Sequence, residues 1–69
     1  MSENPLLNSL KTARTAAGLT QADLAEKVGV TRKTINTVEN GVFVPSTVLS
    51  LKLARALGTS VENLFQLPD

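Results

Sequence analysis

Arg32, Lys33, Asn36, Thr37 and Asn40 carry side chains able to recognise nucleic acid, and their spacing lets a single helix present them together. Advancing about 100° per residue from Ile35 brings Val38 close to the same direction, so this apolar pair faces inward. Lys33, Asn36, Thr37 and Asn40 then form an outward stripe, and Arg32 stands at its flank in the first turn, long enough to reach a groove. The chemistry open to such a stripe is readout of base edges. Arg and Lys donate to guanine, Asn pairs at two points with adenine, and a Thr methyl can touch that of thymine. One good two-point contact separates right from wrong bases by about 1–3 kcal/mol. Cations at a helix start oppose the macrodipole, and a phosphate or base acceptor near Arg32 and Lys33 relieves that conflict. Arg32, Lys33, Asn36 and Thr37 are the expected base contacts.

Gln21 and Asn40 bracket this unit, one at the start of a helix and one at the end of the next. Helix-start N–H groups and these amides suit phosphate oxygens, so Gln21 and Asn40, together with the helix-start residues Thr20 and Thr31, are the expected phosphate contacts. Asn40 could instead serve only to end its helix, and Gln21 could simply be exposed. Glu39 falls about 40° from Ile35, near the core side, where an unpaired carboxylate is costly. Arg14 is its expected partner. The pair Arg14–Glu39 reads as a structural brace between the first and third helices.

Five helices position these groups, at about 5–17, 21–28, 32–39, 47–57 and 61–66. Asn4 and Pro5 form a cap with proline at the first helical position, followed by Leu6, Leu10, Ala13 and Ala17 at helical spacing up to Gly18. Thr20 caps the second helix, with Asp23 completing a weaker form of the capping box. Gly29 ends that helix, Val30 fills the turn and Thr31 caps the third, which Asn40-Gly41 stops. Val42 to Pro45 is extended. Ser46 and Gly58 bound helix four, Ser60 caps helix five, and Pro68 closes it. Within 21–40, Ala25 falls where two helices cross, Gly29 at a turn that favours left-handed backbone, and Ile35 and Val38 on the inward face. That joint spacing is a helix-turn-helix within one all-α domain spanning residues 1–69.

Composition narrows the alternatives. With 69 residues there is room for one domain, and an apolar share of 42% is that of a globular fold. His and Cys are absent, which removes disulfides, the usual zinc ligands and the commonest general acid–base group, so an enzyme, a metal site or a bound cofactor is not expected. No run approaches the roughly 18 apolar residues of a membrane span, and Met1 to Asn4 shows no signal-peptide pattern; the expected location is the cytoplasm. Net charge is +1, and the surplus lies in 31–41, where Arg32 and Lys33 face Glu39 alone.

Arg14, Gly18-Leu19-Thr20-Gln21, Leu24-Ala25, Gly29-Val30-Thr31, Ile35, Glu39-Asn40-Gly41, Pro45-Ser46, Leu53-Ala54, Leu57-Gly58 and Leu64-Phe65 together resemble the phage repressor and Cro family of helix-turn-helix regulators. The likeness covers about residues 6–66. It implies a compact five-helix domain that binds palindromic operators in double-stranded DNA as a homodimer. It implies base contacts from Arg32, Lys33, Asn36 and Thr37, phosphate contacts at Gln21 and Asn40, and the Arg14–Glu39 pair. Many members carry a cation just after Asn-Gly, where this chain has Val42, and many carry a further dimerisation or sensing domain, whereas this chain is similar to the minimal stand-alone type.

Dimerisation is then expected through the domain itself, at the end of helix four, helix five and the tail, with Leu64, Phe65 and Leu67 as interface residues joined by Phe43 and its loop neighbours Val42 and Val44; core burial is the competing place for Leu64 and Phe65. The expected activity is transcriptional repression with no small-molecule ligand. The alternatives are a protein–protein module such as an antitoxin or adaptor, and a restriction–modification controller or activator on the same fold.

Overall fold

The computed structural model describes residues 6–68. Within them the chain runs β1 (Leu7–Asn8), α1 (Leu10–Ala16), α2 (Gln21–Val28), α3 (Arg32–Glu39), α4 (Thr47–Leu57), α5 (Val61–Leu64) and β2 (Phe65–Gln66). The limits of α2, α3 and α4 match those expected from caps and stops, because those signals are local. The Thr31 hydroxyl accepts the Thr34 N–H at 3.2 Å and the Ser46 hydroxyl that of Leu49 at 3.0 Å. Each bond satisfies one of the donors that a helix start leaves without an intrahelical partner.

Two expected helices are shorter than their apolar spacing suggests. Helical spacing predicts the first over 5–17, yet Leu7 and Asn8 are extended and pair antiparallel with Gln66 and Phe65. The same spacing predicts the fifth over 61–66, yet Phe65 has φ −134° and ψ 131° and leaves the helix as strand. One cause accounts for both departures. The two chain ends meet, the Ser9 N–H donates to the Leu64 carbonyl at 2.8 Å, and pairing between segments far apart in sequence overrides helical periodicity. The expected cap Asn4 and first-turn Pro5 lie outside the described residues.

The core is built from every helix. Leu10, Leu24, Ala25, Val28, Ile35, Val38, Leu49, Leu53, Ala54, Leu64 and Phe65 are buried together. Helix α2 packs most extensively on α3 and next on α4, with Ala25 buried. A larger side chain there would hold the helices apart or strain the packing. Among the described residues, no helix is long and apolar enough to cross a membrane.

Candidate nucleic-acid interface

The unit α2–turn–α3 is defined by its ends. Thr20 and Asp23 form a reciprocal capping box, each side chain accepting the other's N–H at 3.0 Å. Hydrogen bonds with the Thr20 backbone and then its hydroxyl hold the Asp23 carboxyl below its usual value. Gly29 ends α2 with φ 77° and ψ 33°, a left-handed conformation costly for residues with a Cβ. The chain can thus turn within three residues into α3, and Val30 N–H returns to the Ala25 carbonyl at 3.0 Å.

On α3, Ile35 and Val38 are fully buried. Arg32, Lys33, Asn36 and Asn40 are exposed and Thr37 is half-buried, so the outward stripe forms one continuous surface. Asn40 Nδ2 donates to Asn36 Oδ1 at 3.2 Å, linking two amides one turn apart. The Thr37 hydroxyl donates to the Thr34 carbonyl at 2.9 Å, which leaves its methyl and the acceptor lone pairs of its oxygen as the groups a base could meet. Thr20 and Thr31 are exposed at the helix starts, their hydroxyls accepting cap bonds. The Thr20 hydroxyl can still donate its proton to a phosphate oxygen, whereas the Thr31 hydroxyl also bonds that of Thr34 at 3.1 Å.

The C-terminal end of α3 is held by two polar clamps. In the first, Arg14 Nε donates to Glu39 Oε2 at 2.6 Å and Nη2 to Oε1 at 3.2 Å, while Nη1 donates to the Leu19 carbonyl at 2.8 Å. Only 9% of the Arg14 side chain and 2% of the Glu39 side chain remain exposed. The hydrogen bond to Glu39 raises the guanidinium's pKa above its ordinary value, against the lowering effect of burial. Gln21 Nε2 completes the group by donating to Glu39 Oε1 at 3.0 Å. Gln21 therefore already spends an amide proton inside the protein, a use that spacing did not reveal.

The second clamp comes from a residue that sequence reasoning missed. Asn8 Nδ2 donates to the Val38 carbonyl at 2.6 Å, and Asn8 Oδ1 accepts the Leu10 N–H at 3.0 Å. One amide thus caps the start of α1 and the end of α3. The cap on α1 is a local contact two residues long, but no local signal could mark the hold on α3, because Val38 is 30 residues away.

The expected interface set is only partly available at the surface. Leu64 and Phe65 are 1% and 8% exposed, so both are core residues rather than interface anchors. The ribbon draws Phe65 against the body of the domain, and α5 buries Leu64. Phe43 and Leu67 stay exposed, as do Val42, Val44, Val48 and Leu51.

Comparison with known proteins agrees with this geometry. A family model described as helix-turn-helix matches residues 10–64. A protein of Methanocaldococcus jannaschii, named as an HTH-type transcriptional regulator, is 44% identical over 62 residues, covering 90% of this chain and 94% of the relative. Among solved structures, the restriction-modification controller protein C.AhdI from Aeromonas hydrophila is similar with a TM-score of 0.77 at 43% identity, over 81% of this chain and 85% of that one. SinR, a master regulator for biofilm formation solved in complex with DNA, is similar with a TM-score of 0.72 at 30% identity, over 77% of this chain and 86% of that one.

Proposed function

The chain belongs to the helix-turn-helix family of DNA-binding transcriptional regulators, and from that membership we propose that it represses transcription by occupying a near-palindromic operator as a homodimer. The reading is carried by the outward stripe of α3, an exposed row of Arg32, Lys33, Asn36 and Asn40 on a helix whose far end is clamped twice. Rigid support matters because base contacts discriminate only when their donors are held in place. Arg32, Lys33, Asn36 and the Thr37 methyl contact bases in the major groove. Thr20, Thr31, Asn40 and the N-terminus of α2 at Gln21 grip phosphates.

Two protomers meet through α4 and the loop before it. Val48 and Leu51, one turn apart on α4, are 62% and 58% exposed, and Val44 is 52% exposed. Exposed apolar groups clustered on one helix face favour association. A domain measuring 32 × 22 × 20 Å suits two copies whose recognition helices stand about 34 Å apart, one duplex turn. Likeness to a restriction–modification controller favours a second reading, in which the same dimer activates or represses according to operator position.

Selecting bound duplexes from a random pool tests the reading. A two-fold symmetric site with half-sites about one turn apart is expected. Lys33→Ala should then relax preference at one defined base, whereas Thr20→Val should weaken all duplexes alike. Equal effects of both variants at every position would overturn the assignment of roles.

A further inference from the structure

Asn40 closes α3, yet the ordinary reason for an asparagine at a helix end is missing. Asparagine serves there because it tolerates left-handed backbone, whereas Asn40 has φ −87° and ψ 4°, values of a type I turn that suit most residues. The left-handed step falls to Gly41, with φ 74°. The Asn40 backbone N–H is already bonded to the Asn36 carbonyl at 3.0 Å. Its side-chain Nδ2 donates to Asn36 Oδ1 at 3.2 Å, and both side chains are exposed on the outward stripe. The amide is therefore spent on a second amide rather than on ending the helix.

The two ends of an asparagine side chain are opposite in kind, since Oδ1 accepts and Nδ2 donates. A half-turn about χ2 exchanges them, and that torsion is broad and roughly two-fold. Alone on the stripe, Asn36 would present either end to a base. A donor at Asn40, one turn further along, favours the arrangement with the oxygen on its side. The oxygen has two lone pairs, so it can still accept from a base, beside the Nδ2 protons, while its direction is set.

We propose that Asn40 is a positioning residue for base reading: it fixes which end of the Asn36 amide faces the duplex. The proposal rests on α3 reading bases in the major groove, as above. Asn40 keeps its second Nδ2 proton for a phosphate oxygen. A single amide thus ties a grip on the backbone to the choice of one base, and seating on the phosphate stiffens the reader. Lys33 stands about two turns away along α3 and is outside this coupling.

The base read by Asn36 is the operator position whose preference disappears in Asn36→Ala. Asn40→Ala should lower preference at that position about fivefold per half-site, the worth of one hydrogen bond, beyond any uniform loss on all duplexes. Preference at the position governed by Lys33 should stay unchanged. Asn40→Asp keeps the shape but can only accept; it draws the Asn36 Nδ2 toward itself and should lose the preference as well. In the double variant Asn36→Ala with Asn40→Ala, the losses of operator affinity should fall short of multiplying by about the same factor. Uniform weakening with the Asn36 preference intact would leave Asn40 a phosphate contact alone and overturn the proposal. An equal drop at the Lys33 position would show general loosening of α3 and overturn it too, as would losses that multiply in full. Failure of the α3 reading is distinguishable and removes the proposal with it: Asn36→Ala itself would then change preference at no position.

Discussion

Removing the Arg14 side chain would leave a nearly fully buried Glu39 carboxylate with Gln21 as its remaining side-chain donor. Arg14→Ala should therefore destabilise the domain by about 3 kcal/mol, the lower part of the range for breaking a buried pair, since the guanidinium keeps some contact with water. That is a large share of the roughly 3–10 kcal/mol open to a chain this short. Urea unfolding of the variant measures it, and an unchanged midpoint would remove the brace. Replacing both partners, Arg14→Met with Glu39→Leu, should recover much of the loss because no charge is left buried alone. The pairing was legible because Glu39 falls near the core side of α3 and needs a cation there. Gln21 as a third member was not, since an amide at a helix start has equally good uses in solvent or on a phosphate.

Among the elements, α3 matters most, and its orientation depends on a strand that helical periodicity hides. Asn8 anchors the Val38 carbonyl from β1 while capping α1. A serine at this position can still accept the Leu10 N–H but is too short to reach α3. Asn8→Ser should lower the ratio of operator to nonspecific affinity about fivefold, the worth of one hydrogen bond near 1 kcal/mol. Its thermal midpoint should fall less than that of Asn8→Ala. Binding titrations at fixed salt and thermal unfolding separate the two effects, and undiminished discrimination in Asn8→Ser would show that the anchor does not aim the helix. Helices α2, α3 and α4 were legible to the residue because Thr20, Thr31, Ser46, Gly29 and Gly58 act on their immediate neighbours. The limits of α1 and α5 were not, because they are set where the two chain ends pair.

For the whole molecule the decisive question is how two copies meet. Burial of Leu64 and Phe65 removes the expected anchors and leaves the outward face of α4 with Val44 as the proposed contact. Leu51→Glu places a charge in that contact without touching the core, since Leu51 is 58% exposed. Sedimentation should show the variant as a monomer at about tens of micromolar, where the wild type should be a dimer. Its affinity for a single half-site should persist while binding to the full palindrome weakens. A Leu51→Glu protein that remains dimeric would move the interface elsewhere.

Sequence alone determined the five helices, the inward pair Ile35 and Val38, the polar stripe opposite them and the partnership of Arg14 with Glu39. Each follows from neighbours within a turn or two, or from the cost of a lone buried charge. Only the tertiary structure decided that the chain ends form a ribbon, that Asn8 holds the end of α3, and that Leu64 and Phe65 lie in the core. Those features join segments up to about sixty residues apart, and contacts at such range are set by packing of the whole domain rather than by any local propensity.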